Sequence, residues 1–229
     1  SAETIKPSRS GKPAIRNVDK PSIVVIPPPK GVTPTGTMML FAPGGGYGSL
    51  SLPNAVDIYN WASAIGAHCA VLKYRVPRDP DDPGRLIPLS DAQRGVRLLR
   101  SKALDLKIDP NKIILVGSSA GGHLSFNLAN NHGQSTYQVV DLADDESARP
   151  NAVVLLDPAY LTKPTASRDA DPLLNLSKLN PLRTPPIFMT VTRPDKFTWG
   201  AVNTMIELRK AKVPAELHVF SEGGHGGVF

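Results

Sequence analysis

The chain alternates between two patterns of hydrophobic and polar positions. Short apolar runs predict strands at residues 22–26, 37–42, 68–74, 113–116, 152–156, 186–191 and 215–220. Segments with apolar residues at helical spacing predict helices at residues 53–66, 89–106, 120–130 and 198–212. Strands that alternate with helices favour a mostly parallel sheet with helices on both faces, so the pattern predicts an α/β fold.

Two stretches lack such a pattern. Residues 1–20, rich in Ser, Lys, Pro and Arg, predict an exposed N-terminal arm with a short edge strand near residues 15–18. Residues 161–184 show no strong period, which indicates a loop or small cap over the edge of the sheet where a ligand would enter. A chain of 229 residues suits one domain with a full core, which we assign to residues 21–229.

Composition and charge exclude several classes of function. The net charge is +6, but Lys and Arg are scattered without a dense cluster, so we expect no binding to nucleic acid. No apolar run reaches the roughly 20 residues of a membrane span, so we expect no insertion into a membrane. Cys69 is the sole cysteine and lies in an apolar run, which indicates a buried thiol.

No metal or cofactor site is predicted. The histidines lack metal-ligand spacing, and the acidic loop at residues 79–84 does not match the spacing of a calcium-binding loop. The glycines at residues 44–46 are not followed by the Lys-Ser/Thr of a phosphate-binding loop, nor do they have the spacing of a dinucleotide-binding fingerprint.

The segment at residues 112–124 carries the clearest chemical motif. An apolar run ends in Gly117-Ser118-Ser119-Ala120-Gly121, and a segment that favours a helix follows. This is the context of a nucleophile elbow, a strained strand-to-helix turn that exposes the serine hydroxyl at the top of a sheet. A glycine-rich turn around a buried serine remains the alternative.

Other polar residues follow the predicted strands. Gly44 and Gly45 follow one strand, Asp195 another and His225 the last. Ligands of open α/β sheets bind at the carboxyl ends of strands, so these loops are expected to meet near Ser119. Serine needs an adjacent base, and the histidine that supplies it needs a carboxylate to orient it. Asp157 also follows a strand and is an alternative acid, whereas His123 is expected to pack under the site.

Several motifs in order give the chain a family resemblance. They are Pro43-Gly44-Gly45-Gly46-Tyr47, Tyr74-Arg75-Val76-Pro77, Asp91-Ala92-Gln93-Arg94, Gly117 to Leu124, Val213 to His218 and Gly223-Gly224-His225-Gly226. The chain from about Val24 to His225 resembles α/β-hydrolase esterases of the carbohydrate-esterase-like branch, which includes bifunctional feruloyl and acetyl xylan esterases. The resemblance implies an α/β-hydrolase catalytic domain over residues 21–229.

The resemblance also implies roles for individual residues. Ser119 would be the nucleophile, His225 the base and Asp195 the orienting acid. The backbone N–H groups of Gly44, Gly45 and Ala120 would form the oxyanion hole. Candidates to line the substrate pocket are Tyr47, Asp157, Tyr160, Phe197 and Trp199.

The expected activity is hydrolysis of short, acetyl-type carboxylic esters on carbohydrate through an acyl-enzyme. The partner would be a small-molecule or polysaccharide ester, without a cofactor. A peptidase or lipase on the same fold, or a binding module without catalysis, remains the alternative. The oligomeric state and the compartment are not predicted by the residues, although the resemblance favours a secreted or periplasmic protein.

Overall fold

The computed structural model describes residues 2–8, 11–77, 79–82, 84–162 and 169–228. In these ranges the strands are β1 (Thr4–Pro7), β2 (Pro13–Arg16), β3 (Ser22–Ile26), β4 (Met38–Ala42), β5 (Leu50–Ser51), β6 (His68–Lys73), β7 (Ile113–Ser118), β8 (Ala152–Leu156), β9 (Ile187–Thr192) and β10 (Ala215–Phe220). The helices are α1 (Pro53–Ala64), α2 (Leu86–Ser101), α3 (Ala103–Leu106), α4 (Ala120–Asn131) and α5 (Thr198–Lys210).

The main sheet has the strand order β10-β9-β8-β7-β4-β6-β3. Neighbouring strands are parallel, except that the edge strand β3 pairs antiparallel with β6. All five residues of β4, Met-Met-Leu-Phe-Ala, are buried, as expected for a central parallel strand covered on both faces. The predicted α/β fold with a mostly parallel sheet is confirmed.

Alternate residues of β4 belong to two separate cores. Met38 and Leu40 pack in the larger core, to which α2, α4 and α5 contribute. Met39 and Phe41 pack in the smaller core with Ile58 of α1. Because successive side chains of a strand point to opposite faces, α1 covers one face of the sheet and the other helices cover the second.

The N-terminal segment is mostly exposed and forms two short strands. β1 and β2 pair antiparallel, and β2 also pairs with β5, so that these strands form a small second sheet. Ala14 and Val18 are buried, and Val18 forms a bridge with Val76. The segment is polar on average, but the alternation of side chains in β2 places Ala14 inward. This alternation covers too few residues to predict a paired strand in a segment of such polar composition.

The predicted helix at residues 89–106 is divided in two and begins earlier. Arg85 adopts a left-handed conformation with φ 50° immediately before Leu86, and α2 starts there. Pro88 lies in the first turn of α2, where a helix needs no N–H donor. Lys102 has φ −96° and ψ 13°, and separates α2 from the short α3.

The predicted cap region begins and ends within the described residues, although residues 163–168 lie outside them. Thr162 and Ala170 form an isolated bridge, and short 3-10 turns follow at Pro172–Leu174 and Leu176–Lys178. Leu161 and Leu174 are buried in the larger core. The segment is therefore fixed to the domain by buried apolar side chains that recur without a helical or strand period.

Cys69 is a free, buried cysteine in the smaller core. Burial raises the pKa of its thiol to about 11, so the thiol stays protonated and inert near neutral pH.

In the part of the chain that the structure describes, no helix is both long and apolar enough to cross a lipid bilayer. The same described ranges hold no group of three or more His, Cys, Asp or Glu arranged to bind a metal ion.

Candidate active site

Ser119 lies at the sharp turn between β7 and α4. Its backbone has φ 54° and ψ −119°, a conformation that L-residues rarely adopt. The turn closes because its neighbours lack side chains: a Cβ on Gly121 would lie 2.0 Å from the carbonyl oxygen of Ala42, and one on Gly117 would lie 2.3 Å from that of Gly121. The sequence Gly-x-Ser-x-Gly therefore folds into an elbow that presents the Ser119 hydroxyl.

The hydroxyl of Ser119 is joined to an imidazole and a carboxylate. Ser119 Oγ lies 2.7 Å from His225 Nε2, and His225 Nδ1 lies 2.7 Å from Asp195 Oδ2. A carboxylate only accepts hydrogen bonds, so Nδ1 carries the hydrogen and Nε2 accepts from Ser119. This is the tautomer in which Nε2 can take the proton of the serine hydroxyl.

The acid and the base follow the ends of neighbouring strands. Asp195 comes after β9 and His225 after β10, so the parallel register of the two strands brings their loops together. The Asp195 side chain is completely buried, whereas 34% of the His225 side chain is exposed. Asp195 also accepts a hydrogen bond from the backbone N–H of Phe197 at 3.1 Å, which fixes the carboxylate. The base is thus held from the interior and open to solvent on its other side.

The glycine loop after β4 lies directly against the nucleophile. A Cβ on Gly44 would lie 2.9 Å from Ser119 Cβ, and a Cβ on Gly45, which has φ 131°, would lie 2.0 Å from the carbonyl oxygen of Ser49. Only glycine fits either position without a displacement. Among the described residues no backbone carbonyl accepts from the N–H of Gly45 or from that of Ala120 at the start of α4. These donors are therefore available to an anionic oxygen beside Ser119.

The five residues predicted to line a pocket occupy different environments. The Phe197 ring lies 4.8 Å from the His225 ring and 5.3 Å from the Tyr160 ring, so these two aromatics stand beside the base. Tyr47 is only 3% exposed, and Trp199 on the first turn of α5 is 58% exposed. The structure thus brings Phe197 and Tyr160 to the site, whereas Tyr47 is buried beneath it.

Asp157 is also separated from any ligand surface. Its side chain has no exposed surface, and Oδ2 accepts from the backbone N–H groups of Gly226 at 3.0 Å and Val228 at 3.3 Å. Burial raises the pKa of Asp157, and the nearby Asp195 charge acts in the same direction. The imidazole of His225 is bonded to Asp195, so the alternative assignment of Asp157 as the acid finds no contact in this structure.

A buried polar network lies under the glycine loop. Tyr47 Oη is 2.8 Å from His123 Nδ1, and Arg85 Nη1 is 2.9 Å from His123 Nε2. Asp171 Oδ2 lies 3.3 Å from Arg85 Nη1, and the Arg85 guanidinium lies 5.0 Å from the centre of the Tyr47 ring. The network joins the glycine loop, α4, the start of α2 and the segment before Pro172.

The charges within this network are set by burial and by Arg85. Burial lowers the pKa of His123, and Arg85 adds to this against the opposing influence of Asp171, so the imidazole is neutral. Burial alone would raise the pKa of Asp171, but His123, the backbone N–H of Leu173 and Arg85 hold it at about 2. The prediction that His123 packs under the site agrees with this position, whereas no sequence pattern indicated Arg85 and Asp171, which lie in loops without a period.

Comparisons with known proteins agree with this architecture. A model of the BD-FAE family matches residues 28–189. Endo-1,4-beta-xylanase B of Butyrivibrio fibrisolvens is 31% identical over 213 residues, or 82% of this chain. An acetylxylan esterase of Xylanibacter ruminicola is 33% identical over 128 residues, or 55% of this chain.

A solved structure shows the same fold over most of its length. The crystal structure of an acetyl ester-xyloside bifunctional hydrolase from Caldicellulosiruptor lactoaceticus has a TM-score of 0.75 and 29% identity, covering 90% of this chain and 79% of that one. The matches to the two curated relatives cover 32% of the xylanase and 23% of the acetylxylan esterase, so this chain spans about a third and a quarter of their lengths. The family model covers more than half of this chain, and the predicted fold agrees with the solved structure. The chain therefore belongs to the BD-FAE family and has the α/β-hydrolase fold.

Proposed function

We propose that the chain is a carboxylic ester hydrolase that removes short acyl groups of acetyl size from carbohydrate, with Ser119 as nucleophile. The main support for this proposal is a pair of 2.7 Å hydrogen bonds. One joins Ser119 Oγ to His225 Nε2, and the other joins His225 Nδ1 to Asp195 Oδ2. The names of the relatives support the choice of substrate, since they include an acetylxylan esterase and an acetyl ester-xyloside hydrolase.

The first half of the reaction transfers the acyl group to the enzyme. Ser119 Oγ attacks the acyl carbonyl carbon while its proton passes to His225 Nε2. The carbonyl oxygen becomes an anion that accepts hydrogen bonds from the N–H groups of Gly45 and Ala120, with Gly44 adjacent. His225 then donates its proton to the departing sugar oxygen, and an ester of Ser119 remains.

The second half returns the enzyme to its starting state. A water molecule attacks the acyl-enzyme carbonyl and gives its proton to His225 Nε2, and the same N–H groups stabilise the new anion. The bond to Ser119 Oγ breaks, Oγ recovers the proton from His225, and a short carboxylic acid leaves. Asp195 accepts the hydrogen bond of Nδ1 and stabilises the imidazolium that forms twice in each cycle.

A sugar suits the partly open site better than a long acyl chain does. The half-buried Tyr160 contacts the buried ring of Phe197 beside His225, and an aromatic ring with an open face packs well against the C–H face of a sugar ring. The open side of His225 gives the leaving alcohol access to Nε2. The acyl group lies on the side of Ser119 that faces the glycine loop.

The proposal is tested by comparing substrates that differ in the acyl group and in the bond cleaved. The rate on 4-nitrophenyl acetate is measured beside those on 4-nitrophenyl octanoate and acetyl-4-nitroanilide, and acetate release is measured from acetylated xylan. We expect the acetate ester to be preferred and acetate to be released from the polymer. Preference for the octanoate would indicate a lipase, preference for the anilide a peptidase, and inactivity on all of them a binding module.

The nucleophile is tested by Ser119→Ala. Without Oγ no acyl-enzyme forms, so we expect kcat on 4-nitrophenyl acetate to fall by about 10⁴-fold or more. Ser101→Ala is the matched control, because Ser101 is exposed at the end of α2 and donates to the carbonyl oxygen of Leu98. Equal activity of Ser119→Ala and the control would remove Ser119 from the mechanism.

A further inference from the structure

Asp157 lies at a point where the nucleophile and the base loop meet. The residue follows β8 directly and adopts φ 44°, a strained conformation for an aspartate. Its Oδ2 accepts from the backbone N–H groups of Gly226 and Val228, at 3.0 and 3.3 Å. Gly226 is the residue next to His225, so the carboxylate holds the backbone on which the base is mounted.

The same turn also holds the nucleophile. The N–H of Ser119 donates to the carbonyl oxygen of Leu156 at 3.1 Å, and the N–H of Ala159 donates to the carbonyl oxygen of Ser119 at 3.0 Å. Residues 156–159 therefore bond to the backbone of Ser119 on one side and to the loop of His225 on the other. A movement of this turn would change the distance between the two reacting side chains.

Stability alone does not account for a carboxylate here. Asp157 is completely buried, and its Oδ1 has no hydrogen-bond partner among the described residues. A buried polar oxygen without a partner destabilises the folded state, and a carboxylate does so more than a neutral group. Burial and the neighbouring Asp195 both disfavour the charge on Asp157, as the direction of its pKa shift indicates. Residues that break packing rules in this way concentrate at functional sites.

We propose that Asp157 is a positioning residue, which fixes His225 relative to Ser119 by accepting hydrogen bonds from Gly226 and Val228 through Oδ2. This role rests on the proposed esterase function. It differs from the role of Asp195, which bonds the imidazole itself. Asp157 does not touch the substrate, so it acts on the rate of the chemical steps and leaves the binding of the ester unchanged.

The first test compares Asp157→Ala with Asp157→Asn on 4-nitrophenyl acetate. Alanine removes the acceptor, so His225 is no longer held and kcat is expected to fall by about 10²-fold with little change in KM, since small misplacements of a catalytic group have effects of this size. Asparagine keeps a carbonyl oxygen for the two N–H groups and should retain clearly more kcat than alanine. An Asp157→Ala kcat within threefold of wild type, or an equal loss in both variants, overturns the proposal.

Asp144→Ala is the matched control for the loss of a buried carboxylate. The Asp144 side chain is 2% exposed and accepts from the backbone N–H of Val140 at 2.8 Å, as well as from Arg94 of α2 and from Tyr137. Its removal should lower the free energy of unfolding and leave kcat near the wild-type value. A fall in kcat as large as that of Asp157→Ala would show that any buried carboxylate has this effect, and the proposal would be wrong.

A second pair of variants decides the matter if Asp157→Ala does not fold. Val228→Pro removes one of the two donors near the end of the chain, whereas Val228→Ala keeps the N–H and shortens the side chain. We expect kcat to fall severalfold in the proline variant relative to the alanine variant, again at constant KM; equal kcat values overturn the proposal. If the wild-type protein hydrolyses none of the esters, the proposed esterase function itself is wrong. This outcome is distinct from failure of the positioning role alone, in which the wild-type protein is active.

Discussion

At the scale of single residues, the candidate site depends on the tautomer of one imidazole. Asp195 is completely buried and bonds His225 Nδ1 at 2.7 Å, so Nε2 faces Ser119 without a hydrogen. An asparagine amide in place of Asp195 can donate to Nδ1, which shifts the hydrogen to Nε2 and removes the acceptor for the serine proton. The charge of Asp195 is needed as well, because it stabilises the imidazolium.

Asp195→Asn is therefore expected to lower kcat on 4-nitrophenyl acetate by about 10⁴-fold near neutral pH. Asp57→Asn is a suitable control, since Asp57 is exposed on α1, a helix that contributes no residue to the site. The measurement is the steady-state rate of both variants at equal folded concentration. Activity of Asp195→Asn within tenfold of wild type would mean that another group orients the base.

Gly45 provides a second prediction at this scale. Its φ is 131°, and a Cβ at this position would lie 2.0 Å from the Ser49 carbonyl oxygen, which leaves no room for a side chain. Gly45→Ala should move the loop away from Ser119 and lower kcat by about 10²-fold, the usual effect of losing one oxyanion donor. Gly48→Ala in the same loop is the control, because the nearest neighbour of its new Cβ would lie 3.8 Å away. Similar rates for the two variants would exclude Gly45 from the oxyanion hole.

At the scale of elements, the buried network of Tyr47, His123, Arg85 and Asp171 joins four parts of the chain that do not share a strand or helix. The glycine loop rests on α4 through Tyr47 and His123, and Asp171 fixes the segment before Pro172 to the start of α2 through Arg85. The loop that carries the candidate oxyanion donors is thereby supported from below. The geometry of the glycine loop therefore depends on Arg85 and Asp171, which lie in loops much later in the sequence.

Asp171→Asn should destabilise the fold by about 3 kcal/mol at pH 7, because it leaves the buried Arg85 without its counter-charge. The folded-state pKa of Asp171, about 2, is below its ordinary value, so its stabilisation is present above about pH 4 and is lost as pH falls toward 2. The free energies of unfolding of wild type and Asp171→Asn, measured with urea at pH 7 and pH 3, should therefore differ less at pH 3. Asp105→Asn, at an exposed ion pair with Lys102, should change stability by less than about 0.5 kcal/mol.

At the scale of the whole molecule, three histidines contribute to the response to acid. Burial lowers the pKa of His68, His123 and His132 below the ordinary value of 6.5. The unfolded chain then binds protons that the folded chain does not, so the free energy of unfolding falls as pH decreases from about 6.5. Above that pH both states carry neutral histidines and the contribution is constant.

His68→Leu tests this acid response. His68 is 6% exposed in β6 and its Nδ1 has no partner among the described residues, so leucine removes the titrating group without breaking a hydrogen bond of Nδ1. The free energy of unfolding is measured with urea at pH 7.5 and at pH 5.5. We expect its fall between these two pH values to be smaller in His68→Leu than in wild type. Ser101→Ala, an exposed position without a titrating side chain, should leave this fall unchanged. If the free energy of unfolding falls as much in His68→Leu as in wild type, His68 does not contribute to the acid response.

Sequence reasoning was strongest where local pattern and global fold agree. The apolar run of β4 and the Gly-x-Ser-x-Gly turn follow from rules that act within a few residues, and the α/β order follows from their alternation. Asp195 and His225 were predicted to meet near Ser119 because strand ends of a parallel sheet share one edge. Within residues 1–20 the sequence did not indicate that β2 pairs with β5, because that pairing involves residues about 35 positions apart.

The sequence was weakest for contacts made by loops. Arg85 and Asp171 meet through tertiary packing that no sequence period indicates, and the buried Tyr47 ring packs against the Arg85 guanidinium. Asp157 was recognised as a polar residue at a strand end, but its partners are backbone N–H groups 69 and 71 residues away. Such contacts are set by how loops fold back over the sheet, so composition and spacing cannot locate them.

The position of β10 has a consequence for how the protein loses activity. Among the described strands, β10 pairs with β9 alone at the edge of the sheet, and His218, Val219 and Phe220 on it are exposed. Its hydrogen bonds to β9 should therefore open more readily than those of the central strands. His225 follows this strand by five residues. Partial unfolding of β10 would separate the base from Ser119 while the remaining sheet stays intact. Ester hydrolysis should therefore disappear at a lower urea concentration than the far-UV circular dichroism of the helices, and coincident transitions would mean that β10 unfolds with the rest.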